Sequence, residues 1–237
     1  MGADKELGGS TLAGNDVAVP VEGVLFDWRG TLARDPDYPW WVRTSLARIE
    51  RDTGDAEVIE IVDRLRAASV LPNVVRAQAS ADCSAEKHRS ATMLWYAEAK
   101  LDGELAKALY TLDLDPVAHP LFEDVPGILK QIKALGIKVA IVSDIHFDLR
   151  PEFVVYGIDV SVDTYVLSFE HGVQKPNPRI FMLALGQLGV SASHALMVGD
   201  RASRDGGAVH AGIRTLLLPP ESGPRRGLDS VLALIKT

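Results

Sequence analysis

The chain has 237 residues, 47% of them hydrophobic and 24% charged, a composition that suits a soluble globular fold of one domain with a sizeable core and a smaller insert. The formal net charge is -7, with no Lys/Arg run, which argues against a nucleic-acid-binding surface. A single cysteine, Cys83, excludes an internal disulfide framework, and no stretch approaches the roughly 20 apolar residues of a membrane span.

The first 20 residues are rich in glycine and acidic groups and carry no signal-peptide apolar run, so a flexible tail and a cytoplasmic protein are expected. The fold then begins with "VLFDWRGTL", Val24–Leu32, an apolar strand that delivers Asp27 to its carboxyl end before a Gly30-Thr31 turn. From residue 35 to 121 no convincing strand is visible. Val42, Leu46 and Ile49 share one helical face, as do Val58, Ile61, Val62 and Leu65. Ala91, Leu94, Trp95 and Leu101 suggest a third helix, and Leu105, Leu109 and Leu112 a fourth, with prolines at both edges.

From residue 122 strands and helices alternate. Ile137–Asp144, His194–Asp200 and Arg214–Pro220 read as buried strands. The stripes Leu129/Ile132/Leu135 and Ile180/Ala184/Leu188 read as helices stopped by Gly136 and Gly189. The expected fold is α/β: a doubly wound parallel core of residues 21–34 and 122–237, with an all-helical insert at 35–121.

Four features fall at carboxyl ends of the expected strands, the edge at which open α/β sheets bind ligands. They are Asp27 with Gly30-Thr31, Ser143-Asp144, Lys175 in "VQKPNP", and Asp200 with Asp205 in "GDRASRD". Together they suit phosphoryl transfer. A carboxylate nucleophile divides the reaction into two displacements, and a Mg2+ held by acidic side chains offsets its repulsion from phosphate. An ammonium and a hydroxyl then hold the remaining phosphate oxygens, and Thr31 adds a donor.

The ordered set D-x-x-G-T-L, S-D, K-P-x-P and G-D-x-x-x-x-D resembles the haloacid dehalogenase-like hydrolase superfamily over about Gly23 to Pro219. The helical insert sits where members with a cap of the first type carry theirs. The resemblance implies a Rossmann-like core, Asp27 as nucleophile, Ser143 and Lys175 as phosphate holders, and a metal site of Asp27, Asp200, Asp205 and the main-chain carbonyl of Arg29. It implies a Mg2+-dependent phosphohydrolase acting on a small phosphorylated metabolite through an aspartyl-phosphate.

Arg29 departs from that pattern. Most phosphatases of the superfamily have a second aspartate there, which works as general acid and base, and a guanidinium cannot take that role. Four readings stay open. The first is a phosphohydrolase, of low efficiency or served by another group such as Asp144 or His146. The second is a dehalogenase-like enzyme attacking carbon. The third is a phosphonatase-like enzyme using Lys87, Lys100 or Lys107. The last is a non-catalytic phospholigand binder or interaction protein in which Arg29 locks a phosphate or pairs with Asp27 or Asp205.

Trp40 and Trp41, with Tyr38, read either as packing at the hinge or as an aromatic wall for substrate. Trp95-Tyr96 reads as core of the insert. Glu170 is placed to orient Lys175, and Arg225-Arg226 read as solvated loop residues.

Overall fold

The computed structural model describes residues 19–221 and 223–236, so the expected tail lies outside the described residues except for Val19 and Pro20. β1 (Gly23–Phe26) is followed by five helices: α1 (Tyr38–Arg48), α2 (Asp55–Ser69), α3 (Pro72–Gln78), α4 (Ala85–Glu98) and α5 (Gly103–Leu112). Then come α6 (Val125–Ala134), β2 (Lys138–Ser143), α7 (Arg150–Val155), β3 (Thr164–Leu167) and the single turn α8 (Ser168–His171). α9 (Pro178–Leu188), β4 (Ala195–Gly199), β5 (Arg214–Leu217) and α10 (Asp229–Ile235) complete the chain.

The five strands form one parallel sheet in the order β3-β2-β1-β4-β5. Because successive strand residues face opposite sides, Val24 and Phe26 pack with Leu129 and Ile132 of α6 on one face. Leu25 packs with Ile180, Phe181 and Ala184 of α9 on the other. Both faces are therefore covered by helices, as a buried parallel sheet requires. The chain winds outward from β1 through β2 to β3, then returns to β4 on the far side. β1 is thus the switch point, and the crevice at its carboxyl end is where this topology binds ligands.

The helical segment has a core of its own. Val42, Leu46, Val58, Ile61, Leu65 and Leu109 bury one another in a cluster separate from the two sheet faces. Its helices start on side-chain caps: Asp37 accepts from Trp40 N, Ser84 from Lys87 N, and Asp102 from Glu104 N and Leu105 N.

Two local expectations need correction. Leu101 falls beyond the end of α4, where Lys100 turns the chain with φ 58°. Leu135 caps the end of α6 and is 49% exposed, because the stripe on that helix is completed by Val125 and Ile128 instead. The edge strand β3 and the short helix α3 were not legible. "TYVL" and "PNVVRAQ" are too short to show a period.

Candidate active site

Asp27 follows β1 directly, so the sheet register fixes its depth: Phe26 pairs with Ile141 and Val198, and Asp27 N donates to Val198 O. Behind it the chain folds back, with the Thr31, Leu32 and Ala33 amides all donating to Trp28 O. Gly30 sits at φ +75°, and a Cβ there would lie 2.4 Å from Asp200 Oδ2. Only glycine lets the loop after β1 and the loop after β4 approach so closely.

Lys175 joins these loops. Its Nζ donates to Asp27 Oδ1 at 2.5 Å and to Asp205 Oδ1 at 2.6 Å, and all three side chains are buried. Asp205 Oδ2 accepts from the amides of Asp200 and Arg201, which shapes the loop after β4. Burial opposes the ammonium, but Asp27, Asp205 and Asp144 outweigh it and hold Lys175 well above the usual lysine range. Burial lifts the Asp27 carboxyl to about 7, against the pull of Lys175.

Asp27, Asp200 and Asp205 bring carboxylate oxygens within 4.8 Å of one another. Asp200 Oδ1 is buried with no hydrogen-bond partner among the described residues. Both Asp205 oxygens are engaged, by Lys175 and by backbone amides. The oxygens open to a cation are therefore those of Asp200 and the second oxygen of Asp27, with Asp205 holding the loop. Oxygen donors of this kind fit a hard cation such as Mg2+.

Ser143 ends β2 and is buried at the same strand edge. Thr31 is fully buried, its hydroxyl unpartnered among the described residues. Asp144 accepts from Lys175 N at 2.8 Å and from Arg204 Nη1 at 3.2 Å, and Arg204 also donates to Lys175 O. Both Asp144 oxygens thus clamp the lysine loop. Glu170 does not orient Lys175: its carboxylate takes a two-pronged contact from Arg150 on the surface, because α8 carries it away from the strand edge.

The Arg29 side chain leaves the Asp27 carboxylate. It donates from Nη2 to Asp113 Oδ1 at 2.8 Å and approaches His119 Nε2 at 3.1 Å, both in the segment that closes the helical insert. Burial works against its charge, but Asp113 prevails and raises the guanidinium further. Asp113 is lowered in return: burial raises it, and Arg29 with the neighbouring histidines more than offsets this.

Trp41 is buried in the core of the insert and edges onto Tyr38, with ring centroids 5.9 Å apart, whereas Trp40 is exposed. His146 is buried and its ring stacks on that of His88 from α4, centroids 3.4 Å apart and planes 5° from parallel. Above Asp27, Ser143 and Lys175 lies a cavity of about 360 Å³, between the strand ends and the helical segment. It adjoins a second cavity of about 370 Å³ walled by Tyr38, Trp41, Trp95, Tyr96 and Tyr110.

Sequence reasoning missed Arg226. It is buried, not solvated: its Nε donates to Gly30 O at 2.6 Å, so it braces the nucleophile-side loop. Asp124 fixes it in turn, accepting from the amides of Arg226, Gly227 and Leu228. A lone arginine about 200 positions from its partner carries no local signal. His88 was equally hidden, since only folding brings α4 over the strand ends.

The parallel, doubly wound sheet gathers three carboxylates and a lysine at its switch point, with oxygen donors that fit a cation. The chain belongs to the haloacid dehalogenase-like hydrolases, whose family model matches residues 21–212. It is 29% identical over 230 residues to haloacid dehalogenase-like hydrolase domain-containing protein 3 of Danio rerio, covering 89% of this chain and 90% of that protein. A glyceraldehyde 3-phosphate phosphatase of Methanopyrus kandleri is 37% identical over 97 residues, 40% of this chain and 42% of the phosphatase. The chain thus aligns with less than half the length of that phosphatase. A dehalogenase crystal structure with an intermediate complex superposes with a TM-score of 0.68 at 19% identity, covering 92% and 98% of the two chains, and shares the fold.

Proposed function

We propose that the protein is a cation-dependent phosphohydrolase acting on a small phosphomonoester, with Asp27 as nucleophile. The observation that carries this reading is the position of Arg29. Its guanidinium is spent on Asp113 and His119, so it neither neutralises Asp27 nor fills the space beside Asp200.

Asp27 attacks phosphorus, the phosphorus–oxygen ester bond breaks, and the alcohol leaves with the bonding pair. Water then attacks the aspartyl-phosphate at phosphorus and releases inorganic phosphate and the free carboxylate. Lys175 and Ser143 bind the non-bridging oxygens, and Asp144 and Arg204 keep Lys175 in place. Asp27 and Asp200 would hold Mg2+, which when bound draws charge from the phosphate oxygens. The helical segment acts as a cap that keeps bulk water from the closed cavity.

With arginine two residues after Asp27, no side chain at that position protonates the leaving group, a loss of about 10²–10⁴ in rate for groups that need a proton. Turnover is therefore expected to favour acyl and aryl phosphates over alkyl phosphates.

The test is a steady-state assay of purified protein with 4-nitrophenyl phosphate and acetyl phosphate, with and without Mg2+. Mg2+-dependent release of phosphate, abolished by Asp27→Asn, is the expected result. Activity retained by Asp27→Asn would exclude Asp27 as nucleophile. Metal-independent chloride release from a 2-haloacid, with no phosphatase activity, would replace this reading with a dehalogenase.

A further inference from the structure

Each cation lining the two cavities already has a carboxylate partner. Arg29 pairs with Asp113, Arg201 with Asp35, Arg204 with Asp144, and Lys175 with Asp27 and Asp205. Asp82 is left over. Among the described residues its carboxylate accepts no hydrogen bond, and its nearest basic group is His88 Nε2, 3.9 Å from Oδ1. Asp82 and His88 line both cavities, so they stand between the strand-end carboxylates and the aromatic chamber.

Arg29, Arg204 and Arg201 attract the Asp82 carboxylate from beyond ion-pair distance, each being paired with another carboxylate. Burial pushes His88 to about 4 and His146 to about 3, so both rings are neutral at ordinary pH. His88 Nδ1 and His146 Nε2 are buried and unpartnered among the described residues. The rings of Tyr38, Trp95 and Tyr110 line the adjoining cavity, with Arg66 over the Tyr38 ring and Arg89 over the Tyr110 ring, which leaves Trp95 without a cation over it among the described residues. The lining carries six carboxylates against four cations before any phosphate enters.

A divalent ion and an organic cation are the two ligands this chemistry suits. Asp82, His88 and His146 do offer donor atoms within 4.8 Å of one another. Yet an imidazole donates its lone pair in the ring plane, and these rings lie face to face, 5° from parallel. Rings so stacked do not aim at a common point. An ammonium needs only what is present: an unpaired carboxylate, a neutral imidazole acceptor and an aromatic face.

We propose that Asp82 receives the ammonium group of a small amino-alcohol phosphate whose phosphate is held at Asp27 and Lys175. This rests on the phosphohydrolase reading and adds the substrate class, an alkyl phosphate whose poor leaving group makes turnover slow, so its selection is read in binding. The charge at the far end of the substrate selects it, and the reaction at Asp27 is unchanged.

The probes are phosphoethanolamine and its uncharged carbon isostere, propyl phosphate. Binding of each to full-length Asp27→Asn protein with Mg2+ is measured by calorimetry, which needs no turnover. Phosphoethanolamine should bind ten- to a hundredfold more tightly, the range of one charge-assisted contact. Adding Asp82→Asn should bring the ratio close to one, with thermal melting confirming the fold. Should that double variant fail to fold, the ratio in Asp27→Asn alone still decides.

Equal affinity, preference for the uncharged ester, or binding of neither would overturn the proposal. So would a visible Co2+ spectrum lost in His88→Gln, which would make the corner a metal site. Failure of the underlying reading looks different: wild-type protein turns over no phosphomonoester while the ammonium preference in binding persists.

Discussion

At the strand ends Asp27, Asp144 and Asp205 are each held by groups of this chain, and Asp200 keeps one unpartnered buried oxygen. Where the helical segment meets the loop after β2, Asp82 accepts no hydrogen bond among the described residues, and His88 and His146 each hide a nitrogen unpartnered among them. Buried polar groups without partners are costly, and they mark both sides of the cleft as places for a ligand's own groups: Thr31 and Asp200 at the strand ends, His88 and His146 at the other side. On the proposed reading the strand-end side carries the reaction, and the helical side distinguishes substrates.

The largest effect that would break this division comes from Lys175→Ala. It removes the cation shared by two buried carboxylates, which should lower activity by about 10³ or more and stability by about 3–5 kcal/mol. Kinetics and thermal melting check both. A variant that melts like the parent and keeps its rate would show that the lysine bridge does not organise the site.

Arg29→Asp should act on both regions in opposite directions. A carboxyl two residues after Asp27 should raise turnover of alkyl phosphates by about tenfold, part of the general acid contribution. Asp113, deprived of its partner, should cost about 1–3 kcal/mol. The ratio of alkyl to aryl phosphate rates reads the first effect and the melting temperature reads the second. An unchanged ratio would mean that more than a proton donor is missing.

Acid should loosen the helical side first. His88 and His119 are held at about 4 and His146 at about 3 by burial, below the unfolded value of about 6.5. Between those values the unfolded chain binds more protons, so stability is lost as pH falls from about 6.5 towards 4. Melting temperature should drop by several degrees between pH 7 and pH 5, and His146→Asn should make the drop shallower.

The smallest effect concerns Glu152, buried on α7 with both carboxylate oxygens unpartnered among the described residues and pushed by burial to about 7. Here the folded value is raised, so the stability it contributes is complete below about 4.5 and is lost as pH rises through 7. Glu152→Gln should raise the melting temperature by about 2–4 °C at pH 8 and change it little at pH 4.5. A stabilisation equal at both pH values would point to packing, not charge.

The strand-end side was largely legible in the sequence, because apolar strands such as "VLF" and "KVAIVS" end on Asp27 and Ser143, and strand ends converge in a parallel sheet. The helical side was not. Arg29 was visible as a departure, but its partner Asp113 lies 84 residues away. His88, Asp82 and Arg226 carry no local pattern, and their roles follow from how α4 and the segment before α10 close over the strand ends.

The central claim is that Asp27 carries a phosphoryl group while Arg29 stands aside. It is tested most directly by mixing the protein with a 32P-labelled aryl phosphate and Mg2+ and quenching in acid within milliseconds. The prediction is label on the protein, released by hydroxylamine, mapped to the peptide containing Asp27, and absent in Asp27→Asn. Phosphate released during turnover with no label on that peptide, or with label retained in Asp27→Asn, would contradict it.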